Sequence, residues 1–244
     1  MKLINLTSQI FLVECNTAKE LGGTFVRMQE FYESPNTRFR GKYFSFNEFR
    51  GWYCQTQSQT GKWTYGKDFG GYNVPGESLV KFYKRFFGRP GAPNAKESQV
   101  LNWVIPTALK KKCYLIGIIQ GDEETLFHEL HHAFYYLYPE YKKQVLKVLG
   151  LQRIKDNNLE KYVTYSGIID CLKKNMYCSE VFKDEIAAYL MFGQDVLRLE
   201  GIDTRKYTRT AKELRNIFNK CRREVLCLKP QREQTKKEKN SFVR

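Results

Sequence analysis

The three histidines of the chain all lie within five residues, in the segment 127–132 with the sequence Phe-His-Glu-Leu-His-His. At about 100° per residue, a helix through this segment places His128, Glu129 and His132 away from an apolar stripe. That stripe consists of Leu126, Leu130, Ala133, Phe134 and Leu137. The pattern predicts a helix that packs on a core by one face and turns its other face towards a cleft.

The same segment contains the pattern HExxH, whose chemistry depends on helical spacing. His128 and His132 are four residues apart, so both imidazoles lie on one face and can bind the same tetrahedral zinc ion. Glu129 lies between them and can act as general base on the metal-bound water. His131 falls between the two faces and is predicted either to support the site or to lie on the surface.

The third zinc ligand follows by elimination, because the chain has no other histidine. The longer pattern HExxHxxGxxH is excluded by Tyr135 and Tyr138, which leaves Asp, Glu or Cys. In residues 181–192, Glu185 is the lone carboxylate of an apolar arc, and burial of such a group is costly unless it is paired or binds metal. Asp184 lies outside the arc and is predicted to orient a ligand histidine. Two alternatives stay open: a salt bridge from Glu185 to Lys or Arg, and Asp184 as the ligand instead.

The assembled pattern resembles the gluzincin branch of the zincin metallopeptidases, over about residues 112–192. In that family a strand precedes the HExxH helix, and a glutamate from a later helix completes the zinc site. The resemblance implies hydrolysis of peptide bonds, with His128, His132 and Glu185 holding Zn²⁺ and with Glu129 moving the proton. It also implies that residues 114–119 form an edge strand on which an extended substrate pairs.

The oxyanion of peptide hydrolysis needs a hydrogen-bond donor besides the metal. Tyr189 is our first candidate because it lies one helical turn from Glu185. Tyr162 and Tyr165 are the alternatives.

We expect an α+β fold made of three regions. Residues 1–93 are a mixed region of unknown role, residues 94–204 a mostly helical zincin-like region, and residues 205–244 a basic helix and tail; the Pro- and Gly-rich segment 88–94 is the expected joint. Local patterns predict strands at 10–14, 62–65 and 112–119, a turn at 70–76, and a capping box at Ser45. Helices are predicted at 24–32, 78–87, 121–138, 140–149, 159–174, 181–200 and 208–226.

Composition favours a folded, soluble, cytoplasmic protein. Hydrophobic residues make up 42% of 244 residues and aromatic residues 15%, which argues against disorder. The first residues lack the apolar core of a signal peptide, and no apolar run is long enough to cross a membrane. Seven scattered cysteines without a CxxC pair indicate reduced thiols. The many aromatic side chains between residues 31 and 69 are expected to pack in a core, with a stacking surface or peptide groove as the alternative.

The net charge of +15 is concentrated in residues 205–244, which carry fourteen Lys or Arg against four Glu. This segment is either a solvated helix with a tail or a contact surface for nucleic acid or an acidic partner. The function that we expect is a zinc metalloprotease acting on a protein or peptide substrate. The alternatives are a catalytically silent zincin-fold interaction module and a nucleic-acid-tethered protease or binder. A translocated effector and a viral protein both fit the sequence.

Overall fold

A computed structural model describes residues 1–89, 91–152, 163–175 and 177–226. Its strands are β1 (Lys2–Asn5), β2 (Ile10–Cys15), β3 (Gly71–Pro75) and β4 (Tyr114–Ile119). Its first helices are α1 (Ala18–Glu33), α2 (Phe46–Thr56), α3 (Tyr65–Asp68), α4 (Gly76–Phe86), α5 (Ala95–Ala108) and α6 (Glu123–Leu137). They are followed by α7 (Pro139–Val148), α8 (Ser166–Lys174), α9 (Phe182–Phe192), α10 (Gln194–Leu199) and α11 (Thr208–Leu226). The coarse expectation of an α+β fold is confirmed.

The strands form one mixed sheet in the order β1-β2-β4-β3. β1 and β2 pair antiparallel, β2 runs parallel to β4, and β3 pairs antiparallel with β4. The prediction that residues 114–119 form an edge strand is therefore wrong, since β4 lies between β2 and β3. The reason is visible in the composition of β4: an apolar run without alternation is buried on both faces, as is typical of a central strand.

Side chains of β2 and β4 alternate between two cores, one on each face of the sheet. Ile10, Leu12 and Ile116 join a cluster with helices α6, α7, α8, α9 and α11. Phe11, Val13 and their neighbours join a second cluster with α1, α2, α4 and α5. Six of the twelve aromatic residues between 31 and 69 are buried in this second cluster and the other six are partly buried against it, so their predicted packing in a core is confirmed.

Several local predictions from the first hundred residues need correction. The predicted turn at 70–76 is the edge strand β3, and the predicted strand at 62–65 is irregular chain that leads into α3. The capping box at Ser45 is confirmed, with the side chain of Glu48 accepting from the Ser45 backbone. The sheet takes β1, β2 and β3 from residues 1–93 and β4 from residues 94–204, so it spans the expected joint.

A buried ion pair fixes the chain on either side of that joint. Arg27 of α1 donates from Nε to Glu97 Oε1 of α5 at 2.9 Å, and from Nη1 to the carbonyl oxygen of Gly91 at 2.7 Å. Both charged side chains are almost fully buried. The segment before α5 is thus held against α1.

The second half follows the predicted helices closely. The predicted helix at 208–226 is α11, and the one at 181–200 is divided into α9 and α10 at Gly193. Within 159–174, the described part contains α8, while residues 159–162 and the tail after residue 226 lie outside the described residues. No helix in the described ranges is long and apolar enough to cross a bilayer. The six cysteines in those ranges are free thiols.

Candidate metal centre

Helix α6 brings the histidine cluster to one end of the sheet. It follows β4 after a turn at Gly121, whose φ of +84° is a backbone conformation that favours glycine. The Asp122 side chain caps the helix by accepting from the Thr125 backbone N–H at 3.0 Å. Leu130 and Phe134 are buried in the core, while His128 is half-buried on the other side. The predicted division of the helix into two faces is therefore present.

His128, His132 and Glu185 meet with the spacing of a metal site. The Nε2 atom of His132 lies 3.5 Å from Glu185 Oε1, and the Nε2 atom of His128 lies 3.7 Å from Glu185 Oε2. One ligand atom from each residue fits within a span of 4.8 Å. Ligand atoms about 2 Å from a tetrahedral zinc ion stand roughly 3.3 Å apart. The observed separations are close to that value.

Two atoms of this group lack the partners that buried polar atoms normally have. His132 Nε2 and Glu185 Oε2 are buried, and neither has a hydrogen-bond partner among the described residues. Burial without a partner is costly for polar atoms, and more so for a carboxylate. A small cavity of about 50 Å³ lies beside them, lined by His128, Glu129 and Glu185 among others. The donor set and its unpartnered atoms therefore fit a cation.

Asp184 lies behind His132 and does not share the same ligand position. Its Oδ2 atom is 3.0 Å from Nδ1 of His132, which leaves Nε2 of that ring facing Glu185. Its Oδ1 atom is 3.0 Å from Nε2 of His131, and the other nitrogen of His131 is hydrogen-bonded to the Tyr141 hydroxyl at 2.6 Å. A carboxylate that orients a ligand histidine in this way is common at metal sites. His131 is fully buried, so the alternative that it lies on the surface is excluded.

Charges around the centre shift the pKa values of its members. Burial raises the pKa of Glu129, although His128 and His132 act in the opposite direction. Burial would lower the pKa of His132, but Asp184 and Glu185 together hold it well above its usual range. Burial and the nearby charge of Glu185 raise the pKa of Glu33 well above that of an ordinary glutamate. The centre is thus rich in buried carboxyl groups.

Glu129 is held by an interaction that the sequence did not reveal. Asn73 of β3 donates from Nδ2 to Glu129 Oε2 at 2.8 Å, and the Tyr114 hydroxyl donates to Asn73 Oδ1 at 2.6 Å. The Asn73 backbone N–H donates to Gln29 Oε1 at 3.2 Å, so a side chain occupies the outer edge of β3 at this point. A Cβ atom at Gly71 would collide with Glu129 Oε1, so the strand passes close to the carboxylate only because residue 71 is glycine.

Of the three tyrosines predicted as oxyanion donors, the structure places Tyr189 beside the centre and Tyr165 in the core. The Tyr189 ring lies 5.5 Å from the His128 ring, and its hydroxyl is 3.1 Å from that of Tyr177, a residue that sequence reasoning missed. Burial raises the pKa of Tyr189, so its phenol keeps the proton that a donor needs. Tyr165 packs in the core and donates to the Leu149 carbonyl at 3.2 Å, and Tyr162 lies outside the described residues.

A cleft of about 870 Å³ opens onto the centre. His128, Glu129, Tyr177 and Tyr189 line it, together with the segments around Gly70 and around the junction of α9 and α10. A polypeptide segment in this cleft would therefore pass beside the histidines and Glu129.

Comparisons with protein-family models, with curated proteins and with solved structures found no match to this chain. The residues of the centre and their geometry are therefore the basis for assigning a function.

Proposed function

We propose that this protein is a zinc-dependent metallopeptidase of the gluzincin type, with His128, His132 and Glu185 as the zinc ligands. The observation that carries the proposal is the convergence of donor atoms from His128, His132 and Glu185 beside the carboxylate of Glu129, with two buried atoms of this group, His132 Nε2 and Glu185 Oε2, lacking hydrogen-bond partners among the described residues. The cleft in front of them is large enough for a segment of a protein or peptide substrate.

The charge of the centre supports a divalent cation. Among the described residues, Glu185 forms ion pairs with His128 and His132 and with no Lys or Arg. Glu129 and Glu33 add further carboxyl groups to the same buried surroundings. A divalent cation would favour the ionised forms of these carboxyl groups, and a set of two imidazoles with one carboxylate is a common zinc-binding combination.

The residues of the centre have separate tasks in the proposed reaction. When bound, zinc supplies a Lewis acid that activates water and polarises a carbonyl group. Glu129 accepts the proton of the attacking water and passes it to the leaving amine. Asn73 orients the carboxylate of Glu129 through its Nδ2 hydrogen bond. Tyr189, supported by the Tyr177 hydroxyl, donates a hydrogen bond to the developing oxyanion.

Substrate enters through the cleft in this proposal, because β4 is not available for pairing and a side chain occupies one position on the outer edge of β3. β4 is internal, and Gln29 accepts from the Asn73 backbone N–H on the outer side of β3. Substrate recognition therefore depends on side chains of the cleft more than on strand addition.

The test combines metal analysis with a search for cleavage. We expect one zinc ion per chain in the wild-type protein and none in His128→Ala. Glu129→Gln is expected to keep its zinc and to lose cleavage of a peptide library, measured by mass spectrometry of new N-termini. The matched control is Glu123→Gln, which makes the same change at an exposed position of α6. Wild-type protein that binds zinc but cuts nothing would contradict the proposal, as would cleavage by Glu129→Gln at the wild-type rate.

A further inference from the structure

A second concave site lies on the surface, and it is built mainly from cations. It has a volume of about 580 Å³ and is formed by the end of α1, the segment at residues 40–41, and α4 with the residues that follow it. Five of its nine lining residues are Lys or Arg: Arg40, Lys81, Lys84, Arg85 and Arg89. The remaining lining includes Ser78 and Tyr32. This site differs in charge and in position from the cleft at the metal centre.

The cations of this site have few acidic partners. Arg40 is paired with Glu180, from its Nη1 atom to Oε2 at 2.7 Å. Within the described ranges, Lys81, Lys84 and Arg85 form no ion pair with a carboxylate, and the guanidinium of Arg89 lies 5.8 Å from the centre of the Tyr43 ring. The positive charge of the pocket is therefore largely uncompensated by the protein itself.

The helix dipole explains the positions of only some of these cations. Lys84 and Arg85 are in the last turn of α4, where cations interact favourably with the helix dipole. Lys81 lies three and four residues before them on the same face, and like charges at this spacing are destabilising. Arg40 and Arg89 reach the pocket from outside the helix. A bound anion would explain why cations from separate segments converge on one concavity.

The shape of the site indicates the class of anion. Cations that contact a nucleic-acid backbone are expected to follow a stripe or an extended groove. Here they surround a concavity whose volume is within the range of small-molecule sites. Arginine and lysine bind phosphate groups through charge-assisted hydrogen bonds, and Ser78 adds a neutral donor. We propose that this pocket binds a compact ligand with two or more clustered phosphate groups, either a free small molecule or a lipid headgroup.

The binding experiment uses the full-length protein, with inorganic tripolyphosphate as the free probe. We expect saturable binding by calorimetry and a loss of at least tenfold in affinity for the double variant Lys81→Gln/Lys84→Gln. The matched control is Lys212→Gln/Lys220→Gln, which removes the same charge from exposed positions of α11 and is expected to bind as the wild type does. Equal affinity in the pocket variant and the wild type would overturn the proposal. An equal loss in both variants would also overturn it, since net charge alone would then explain binding.

Two further probes identify the source of the phosphates. Phosphatidylcholine vesicles that contain a phosphatidylinositol bisphosphate test a lipid headgroup, and binding that the pocket variant loses would support that source. A single-stranded oligonucleotide tests a polymer. If the oligonucleotide bound through Lys81 and Lys84 while tripolyphosphate did not bind, the assignment to a compact ligand would be wrong. Circular dichroism of each variant confirms that its fold is intact.

Discussion

The buried ion pair between α1 and α5 allows a sharp prediction about stability. Glu97 is fully buried and accepts from Arg27 and from the Asn94 backbone N–H, the latter at 2.7 Å. In Glu97→Ala the guanidinium of Arg27 stays buried, and its remaining hydrogen-bond partners among the described residues are the carbonyl oxygens of Gly91 and Ala92. Removing one member of a buried pair in this way costs about 3–5 kcal/mol, because the remaining charge is uncompensated.

This cost is measurable as a change in the thermal midpoint. In a protein of this size 1 kcal/mol moves Tm by about 2–4 °C, so Glu97→Ala should lower Tm by roughly 6–20 °C in calorimetry or circular dichroism. The control is Glu213→Ala, which breaks the exposed i,i+4 pair with Arg209 and should cost about 0.5 kcal/mol or less. The double variant Arg27→Met/Glu97→Met should recover much of the loss, since it leaves no buried charge. If Glu97→Ala lowered Tm no further than Glu213→Ala, the reasoning from burial would be refuted.

Three other predictions concern the centre and its surroundings. Asn73→Ala should keep zinc but lower kcat/KM about 10- to 100-fold, because a hydrogen bond to a charged group such as Glu129 contributes about 1.5–3 kcal/mol. An unchanged kcat/KM would show that Asn73 does not position the proposed base. Burial raises the pKa of Glu30 to about 7, so its contribution to stability is complete below about pH 4.5 and is lost as the pH rises through 7. Glu30→Gln should therefore flatten the decline in Tm between pH 5 and 8, and an identical pH profile would contradict this. Removal of zinc with a chelator should lower the Tm of the wild type, while the Tm of His128→Ala should not respond to the chelator.

The parts of the fold that were predictable from the sequence are those in which local periodicity and burial agree. Leu130 and Phe134 repeat at helical spacing, so the direction in which His128 points follows from the helix alone. The same reasoning distinguished Glu185 from Asp184, because adjacent residues on a helix face about 100° apart. The structure places Glu185 against both histidine Nε2 atoms and Asp184 behind one ring, as that difference in direction requires.

The residues that escaped prediction depend on contacts between distant parts of the chain. The sequence of β3 indicates a turn because Gly70, Gly71 and Pro75 are typical turn residues, although Gly71 and Pro75 have other roles here. Gly71 allows the close approach to Glu129, and Pro75 ends an edge strand, where a missing N–H is tolerated. Asn73 could have been noticed as a polar residue between two apolar ones, but its partners are Glu129 and the Tyr114 hydroxyl, 56 and 41 residues away. Periodicity reports the direction of a side chain and carries no information about strand register. It can therefore find a candidate metal ligand on a helix and still miss Asn73, which is hydrogen-bonded to the proposed base beside it.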